Sequence, residues 1–133
     1  VASSKEILGV FRPGDHGSTF GGNPLGCAIA RAALRTTQEE NLVGRSAELG
    51  EYFMDGLRKI ASPHVQEVRG RGLLIGLEIK KSSGPARPYC EKLRDLGILC
   101  KETHEQVIRF APPLVIRRED IDWILERVKQ VVA

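Results

Sequence analysis

Long apolar runs, closely spaced cysteines and blocks of one charge sign are all missing from this sequence of 133 residues. No apolar stretch approaches the roughly 20 residues that a membrane-spanning helix needs, and the opening VASSKEILG lacks the apolar core of a signal peptide. Basic and acidic residues are interspersed, so the net charge of +3 does not form the basic patch of a nucleic-acid-binding protein. These absences predict a cytoplasmic protein with neither a membrane nor a nucleic-acid partner.

The few cysteines also exclude classes of site. Cys27, Cys90 and Cys100 form an odd set with no CxxC pair, so the spacing predicts neither a disulfide framework nor a zinc knuckle. Cys100 and His104 are four residues apart, but two ligands without a third do not make a metal site. We therefore expect free thiols and no metal.

Length and composition fit a folded domain better than a complete cofactor enzyme. Apolar residues make up 41% of the chain and charged residues 28%, as in ordinary globular proteins. The chain is long enough for one domain with its own core, yet short for an enzyme built around a large cofactor. It has no initiator Met and opens as though within a longer sequence. We expect a fragment of a larger protein.

The first part of the chain predicts an extended arm followed by helices. Residues 1–23 contain five glycines and one proline, so apart from a short turn at 5–8 they are expected to be extended. Asn23-Pro24 favours a helix start, and apolar residues at helical spacing continue it to Thr36. The sequence TQEE at 37–40 has the form of a capping box, which predicts that a second helix begins there and presents an apolar face between Leu42 and Ile60.

From residue 38 onward the pattern predicts a small α+β domain, with helices covering one face of a mainly antiparallel sheet. After Ser62-Pro63 the pattern has period two in two segments, two short strands are expected further along, and two segments have helical spacing. Gly97 is expected to end the first of these helices, and Pro112-Pro113 to end the sheet. The predicted strands are 65–69, 73–80, 98–101 and 107–110, and the predicted helices are 85–96 and 118–132.

The segment DHGSTFGGNP at 15–24 has the composition of an anion site. Its glycines allow close backbone approach, the hydroxyls of Ser18 and Thr19 can donate, and the predicted helix end adds partial positive charge. The same residues could equally form only a turn and a helix cap. His16 is interpreted as a structural hydrogen-bonding residue rather than a base.

The chain contains three distinctive segments, HGSTFGGNPLGCAIARAAL at 16–34, VRGRGLLIGLEI at 68–79 and THEQVIRFAPPLVI at 103–116. Together they resemble the class III, ω-type aminotransferases, which depend on pyridoxal phosphate. They occur in the family's order and spacing, and the resemblance covers essentially the whole chain. The third segment favours the ornithine type over the acetylornithine and 4-aminobutyrate types. The resemblance implies a type I fold in which 1–40 is the tail of the large cofactor-binding domain and 41–133 is the small carboxy-terminal domain.

The resemblance also implies roles for three residues. Ser18 and Thr19 would reach the cofactor phosphate of the neighbouring subunit, so the parent protein would be at least a homodimer. Arg109 would bind a substrate carboxylate through a two-pronged contact, which suits the planar guanidinium. Judged from the residues alone, Arg109 in its apolar strand could instead form a structural salt bridge with an acid such as Glu78.

The implied activity belongs to the parent protein. It would move the δ-amino group of ornithine to 2-oxoglutarate, giving glutamate semialdehyde and glutamate. The family's Schiff-base lysine and the acid at the pyridine nitrogen lie upstream, so no catalytic residue is assigned here and the chain alone is expected to be inactive. Lys80 and Lys81 are interpreted as a solvated strand end. The alternatives are another ω-amino donor, or a non-catalytic module that binds a small molecule or a protein.

Overall fold

In the computed structural model, which describes residues 3–133, the chain divides into two units, 1–36 and 37–133. This division falls four residues before the boundary predicted at 40/41. The assignment of the two parts to the large and small domains of a longer protein stays a prediction. No helix of the described residues is long and apolar enough to cross a membrane.

The first unit contains one helical turn, α1 (Lys5–Leu8), and the start of α2 (Pro24–Glu39). The predicted start of α2 is confirmed, because the Asn23 Oδ1 accepts a hydrogen bond from the Gly26 N–H at 2.8 Å. None of the α2 residues, all of which are described, is buried. The apolar side chains along it are exposed: Leu25 70%, Ile29 60% and Leu34 66%.

The predicted helix start at 37–40 is wrong. α2 continues to Glu39, and α3 (Leu42–Arg58) begins only after Asn41, whose φ is 47°. An N-cap needs extended backbone angles, which Thr37 cannot adopt within a helix. The chain turns at Asn41 instead, because asparagine tolerates the left-handed region better than most residues. The predicted apolar face of α3 is correct, since Leu42, Phe53 and Leu57 are among its buried residues.

The second unit is the predicted α+β fold. Its strands are β1 (Val65–Arg71), β2 (Leu74–Ile79), β3 (Lys101–Thr103) and β4 (Val107–Phe110). They form one antiparallel sheet in the order β1-β2-β4-β3. α3 packs on β1 and β2, and α4 (Arg87–Asp95) packs on β3 and β4. α5 (Arg118–Val132), which has its predicted bounds, packs on α3 and α4.

The core lies between these helices and one face of the sheet. Side chains alternate along β2 and β4: Ile75, Leu77 and Ile79 are buried, as are Ile108 and Phe110. The residues between them point to the other face of the sheet, where they are exposed or half-buried. The period-two pattern of β2 is therefore confirmed by the burial of alternate residues, and β4 alternates in the same way.

The strand predicted at 98–101 is wrong. Ile98 is buried, but its N–H donates to the Leu93 carbonyl at 2.8 Å, while Gly97 N–H donates to Arg94. Gly97 has a φ of +88°, so this is a Schellman-type end to α4, as the glycine predicted. Ile98 reaches the core through the helix cap, and the strand β3 begins only at Lys101.

Candidate functional site

The hydroxyls of Ser18 and Thr19 lie in an exposed turn before α2. The Ser18 Oγ accepts a hydrogen bond from the Gly21 N–H at 2.9 Å, and the Asn23 side chain donates to the Phe20 carbonyl at 2.6 Å. The turn and the helix cap foreseen as one interpretation are both present. Because Ser18 uses an acceptor position in this turn, its O–H proton can still be donated to a ligand.

The surroundings of these hydroxyls leave room for an anion. A Cβ added at Gly17 or Gly22 would meet no atom within 4 Å, and Gly22 has a φ of +78°. The nearest carboxylate in sequence, Asp15, accepts a hydrogen bond from the Arg12 N–H at 2.7 Å. The Gly26 N–H at the helix end is already capped by Asn23. A phosphate at this turn would therefore be held mainly by the hydroxyls and by the glycine backbone N–H groups. The helix end would contribute fewer hydrogen bonds, because Asn23 already caps it.

Arg109 lies on β4, on the face of the sheet that points away from the helices. It is exposed, whereas its neighbours Ile108 and Phe110 are buried. The expectation that Arg109 needs a partner because of its apolar strand is thus wrong, since the strand's alternation directs it outward. Among residues 3–133, its side chain makes no hydrogen bond or ion pair.

The acid considered as a partner for Arg109 is already occupied. Glu78 forms an ion pair with Arg69, which also binds Glu67 at 2.8 Å. The hydrogen bonds from Glu78 and then Glu67 raise the pKa of Arg69 above its ordinary value. Register explains the pairing: Gly76 stands directly between Arg69 on β1 and Arg109 on β4. The two acids neutralise Arg69 and, within residues 3–133, leave Arg109 without an ion-pair partner.

An open hollow of about 580 Å³ extends over this face of the sheet. Leu74 and Val107 supply apolar wall, and Arg71 and Arg109 are cations on its lining. Neither arginine has a hydrogen-bond or ion-pair partner in the described part of the chain. A hollow with apolar walls and unpaired guanidinium groups suits a small carboxylate.

Sequence reasoning missed the contribution of Arg71 and Gly76 to this hollow. The signals were present: residues 67, 69 and 71 alternate along β1, and a glycine inside a strand often marks a close approach of another group. What the sequence could not show was the register that sets Gly76 opposite Arg109.

Lys80 and Lys81, which were interpreted as a solvated strand end, differ from each other. The Lys80 Nζ donates to the Pro63 carbonyl at 2.9 Å, whereas Lys81 is exposed.

Comparisons with known proteins agree with the resemblance seen in the sequence. A family model described as aminotransferase class-III matches residues 1–132. An ornithine aminotransferase from Brevibacillus brevis is 63% identical over 132 residues, which are 99% of this chain and 32% of that protein. The chain thus spans about a third of the length of the relatives that it matches.

Solved structures give the same result for the fold. An ornithine delta-aminotransferase from Plasmodium falciparum matches 98% of this chain and 34% of its own, with a TM-score of 0.88 and 35% identity. An acetylornithine aminotransferase from Elizabethkingia anophelis matches 98% of this chain and 35% of its own, with a TM-score of 0.83 and 38% identity. The fold alone therefore does not distinguish an ornithine aminotransferase from an acetylornithine aminotransferase.

Proposed function

The chain belongs to the class-III aminotransferase family, and from this premise we propose that it is the carboxy-terminal part of an ornithine aminotransferase. The parent protein moves the δ-amino group of ornithine to 2-oxoglutarate and produces glutamate semialdehyde and glutamate. The observation that carries this proposal is the 63% identity to an ornithine aminotransferase over 132 residues. We also propose that the parent protein is cytoplasmic and at least a homodimer.

The cofactor of the proposed enzyme is pyridoxal phosphate, which when bound supplies the electron sink for amine exchange. In this chain, Ser18 and Thr19 would hold its phosphate by hydrogen bonds across the dimer interface. Their exposure, the open glycines beside them and the occupied Asp15 carboxylate support this role. These hydrogen bonds would be charge-assisted, and each would contribute more binding energy than a hydrogen bond between two neutral groups.

Arg109 binds the α-carboxylate of 2-oxoglutarate or glutamate with two parallel N–H donors. While ornithine is bound, a glutamate from the upstream part of the parent pairs with Arg109 and keeps the cation from the substrate's amine end. The ion pairs of Arg69 support this arrangement, because they hold Glu67 and Glu78 away from Arg109. A carboxylate from the upstream part of the parent or from the substrate therefore meets no competition from Glu67 or Glu78 at Arg109.

The rest of the active site lies in the upstream part of the parent. Residues 1–40 complete its large domain, and residues 41–133 form its small domain. The exposed apolar side chains of α2, among them Leu25 and Ile29, support this proposal, since burying them against the remainder of the large domain would be favourable. The Schiff-base lysine is also upstream, so the 133-residue chain alone neither retains the cofactor covalently nor transaminates.

Steady-state kinetics of the full-length parent test the proposed substrate. We expect kcat/KM with ornithine and 2-oxoglutarate, measured by the glutamate formed, to exceed the value with acetylornithine or 4-aminobutyrate in place of ornithine. A higher value with either of these donors would contradict the proposal while keeping the family. The similar fold of an acetylornithine aminotransferase makes that donor the alternative to examine first.

The coding sequence upstream of Val1 separates the enzyme from a free-standing binding module. We expect an in-frame large domain that contains the family's lysine. A start codon close to Val1 would instead support a non-catalytic module. A stable cofactor adduct on one lysine of the isolated chain would contradict its expected inactivity.

A further inference from the structure

Lys101 lies directly opposite Arg109 in the register of β3 and β4. Residues directly opposite each other in an antiparallel pair share a face of the sheet, with Cβ atoms about 4.5–5.5 Å apart. The position of Thr103 agrees with this, because it lies two residues along β3 from Lys101 and lines the hollow on that face. Two cations are therefore neighbours on the face of the sheet that carries the candidate substrate site.

No acid in the described part of the chain neutralises Lys101. Like that of Arg109, its side chain makes no hydrogen bond or ion pair within residues 3–133. The adjacent acid, Glu102, lies on the other face of β3, where it pairs with Arg87 of α4 at 2.7 Å. Like charges directly opposite each other destabilise a sheet. The two cations are thus held side by side at a cost in stability.

The charges on the two sides of Arg109 are unequal. One row of residues crosses the sheet in the strand order β1-β2-β4-β3, and it consists of Arg69, Gly76, Arg109 and Lys101. On the β1 side, two glutamates neutralise Arg69. On the β3 side, the charge of Lys101 has no such partner. The repulsion that acts on the Arg109 guanidinium therefore comes from β3 and is directed towards β2.

The surroundings of the two side chains differ in the direction that this repulsion requires. Arg109 lines the hollow of about 580 Å³ over β2, whereas Lys101 borders a separate hollow beside α4. Gly76 has no side chain to occupy the space over β2, and a Cβ added there would already lie 3.1 Å from the Val107 Cγ1. The guanidinium of Arg109 therefore has open space on the side away from Lys101.

We propose that Lys101 is a positioning residue, whose charge keeps the Arg109 guanidinium turned over Gly76 into the hollow, where it meets a substrate carboxylate. This role rests on the carboxylate binding proposed for Arg109. A carboxylate in the hollow also offsets the repulsion between the two cations, so the cost of their proximity is recovered only when an anion binds. Lys101 therefore favours 2-oxoglutarate and glutamate, which have a carboxylate beside the reacting carbon, over ornithine, whose reacting end is an amine.

Calorimetric titration of the full-length parent with glutarate, a dicarboxylate that cannot exchange an amino group, tests this role. We expect Lys101→Gln to raise the Kd of glutarate roughly two- to fivefold, the size of a cross-strand charge interaction. Lys101→Arg keeps the charge and should keep the Kd of the unsubstituted protein. Lys81→Gln is the matched control, since Lys81 is exposed and lies outside the four strands. The effect of Lys101→Gln should shrink in about 0.5 M NaCl, because salt screens exposed charges.

A double substitution shows whether Lys101 acts through Arg109. In an Arg109→Gln background, Lys101→Gln should cause no further loss of glutarate binding, because the guanidinium that it positions is gone. A further loss of the same size would overturn the proposed role, as would equal glutarate binding by the unsubstituted and Lys101→Gln proteins, or its absence from both. Glutarate binding does not depend on the amino donor, so a parent that prefers another donor would contradict the proposed function and leave the role of Lys101 standing.

Discussion

Replacing Gly50 with alanine tests how closely α3 packs on the turn between β1 and β2. A Cβ added at Gly50 would lie 2.6 Å from the Cα of Gly72 and closer still to its carbonyl group. These are backbone atoms, and Gly72 has a φ of +54°, so the turn has little freedom to adjust. The hydroxyl of Ser46 also holds it, by accepting a hydrogen bond from the Leu73 N–H at 3.2 Å.

Two effects of opposite sign set the size of the change. Alanine is favoured over glycine inside a helix by about 1 kcal/mol, whereas overpacking of a core costs about 1–3 kcal/mol and more where backbone must move. Because the atoms in the way at Gly50 are backbone, we expect the second effect to win. Gly50→Ala should lower the free energy of unfolding by about 2 kcal/mol.

Gly44→Ala is the matched control on the same helix. Its added Cβ would meet the Asn41 side chain, 2.5 Å from Nδ2, and a side chain at the surface can rotate away. This substitution should raise stability by up to about 1 kcal/mol. Urea unfolding of the 133-residue chain, followed by the fluorescence of its single tryptophan, Trp123, measures both. A stabilising effect of Gly50→Ala equal to that of Gly44→Ala would refute the packing argument.

Two further predictions concern the cofactor turn and α5. Thr19→Ala in the full-length parent should weaken cofactor retention by about 1.5–3 kcal/mol, the contribution of a hydrogen bond to a charged group; dialysis measures this, and unchanged retention would leave Thr19 with a local role only. Hydrogen bonds from the Arg117 side chain lower the pKa of Asp120, so their stabilisation is present above the ordinary carboxyl pKa and is lost as pH falls through the lowered value. Asp120→Asn should therefore destabilise the chain at pH 7 more than at pH 3 in urea unfolding, and equal losses at both would argue against the pair.

Helix boundaries could be predicted where residues with strong capping preferences or clear helical spacing mark them. Asn23-Pro24 marks the start of α2, Gly97 ends α4, and the spacing within 118–132 gives α5 its bounds. The TQEE motif failed, because four residues of that form also fit the interior of a helix whose end is decided by the turn at Asn41. The strand predicted at 98–101 is wrong for a related reason. Ile98 is buried through the cap of α4, and burial does not require a strand.

Part of the candidate site could be predicted from local sequence, and part could not. Arg109 and Val107 lie on the same face of the sheet, as alternation along a strand requires once β4 is identified. The partner of Glu78 could not be predicted, because it depends on the register of β1 and β4 on either side of β2. At Ser18 and Thr19, a turn and a phosphate site use the same residue types, so spacing alone could not separate them.

Substituting Arg109 by lysine in the full-length parent tests whether this residue binds a substrate carboxylate. Lysine keeps the charge but loses the two-pronged geometry, so only the step in which Arg109 contacts a substrate carboxylate should suffer. Stopped-flow measurement of each half-reaction should show the 2-oxoglutarate half-reaction slowed by roughly tenfold or more, as expected for a lost charge-assisted hydrogen bond. The ornithine half-reaction should change far less. Equal losses in both half-reactions would mean that Arg109 does not bind the substrate carboxylate and has a structural role on β4.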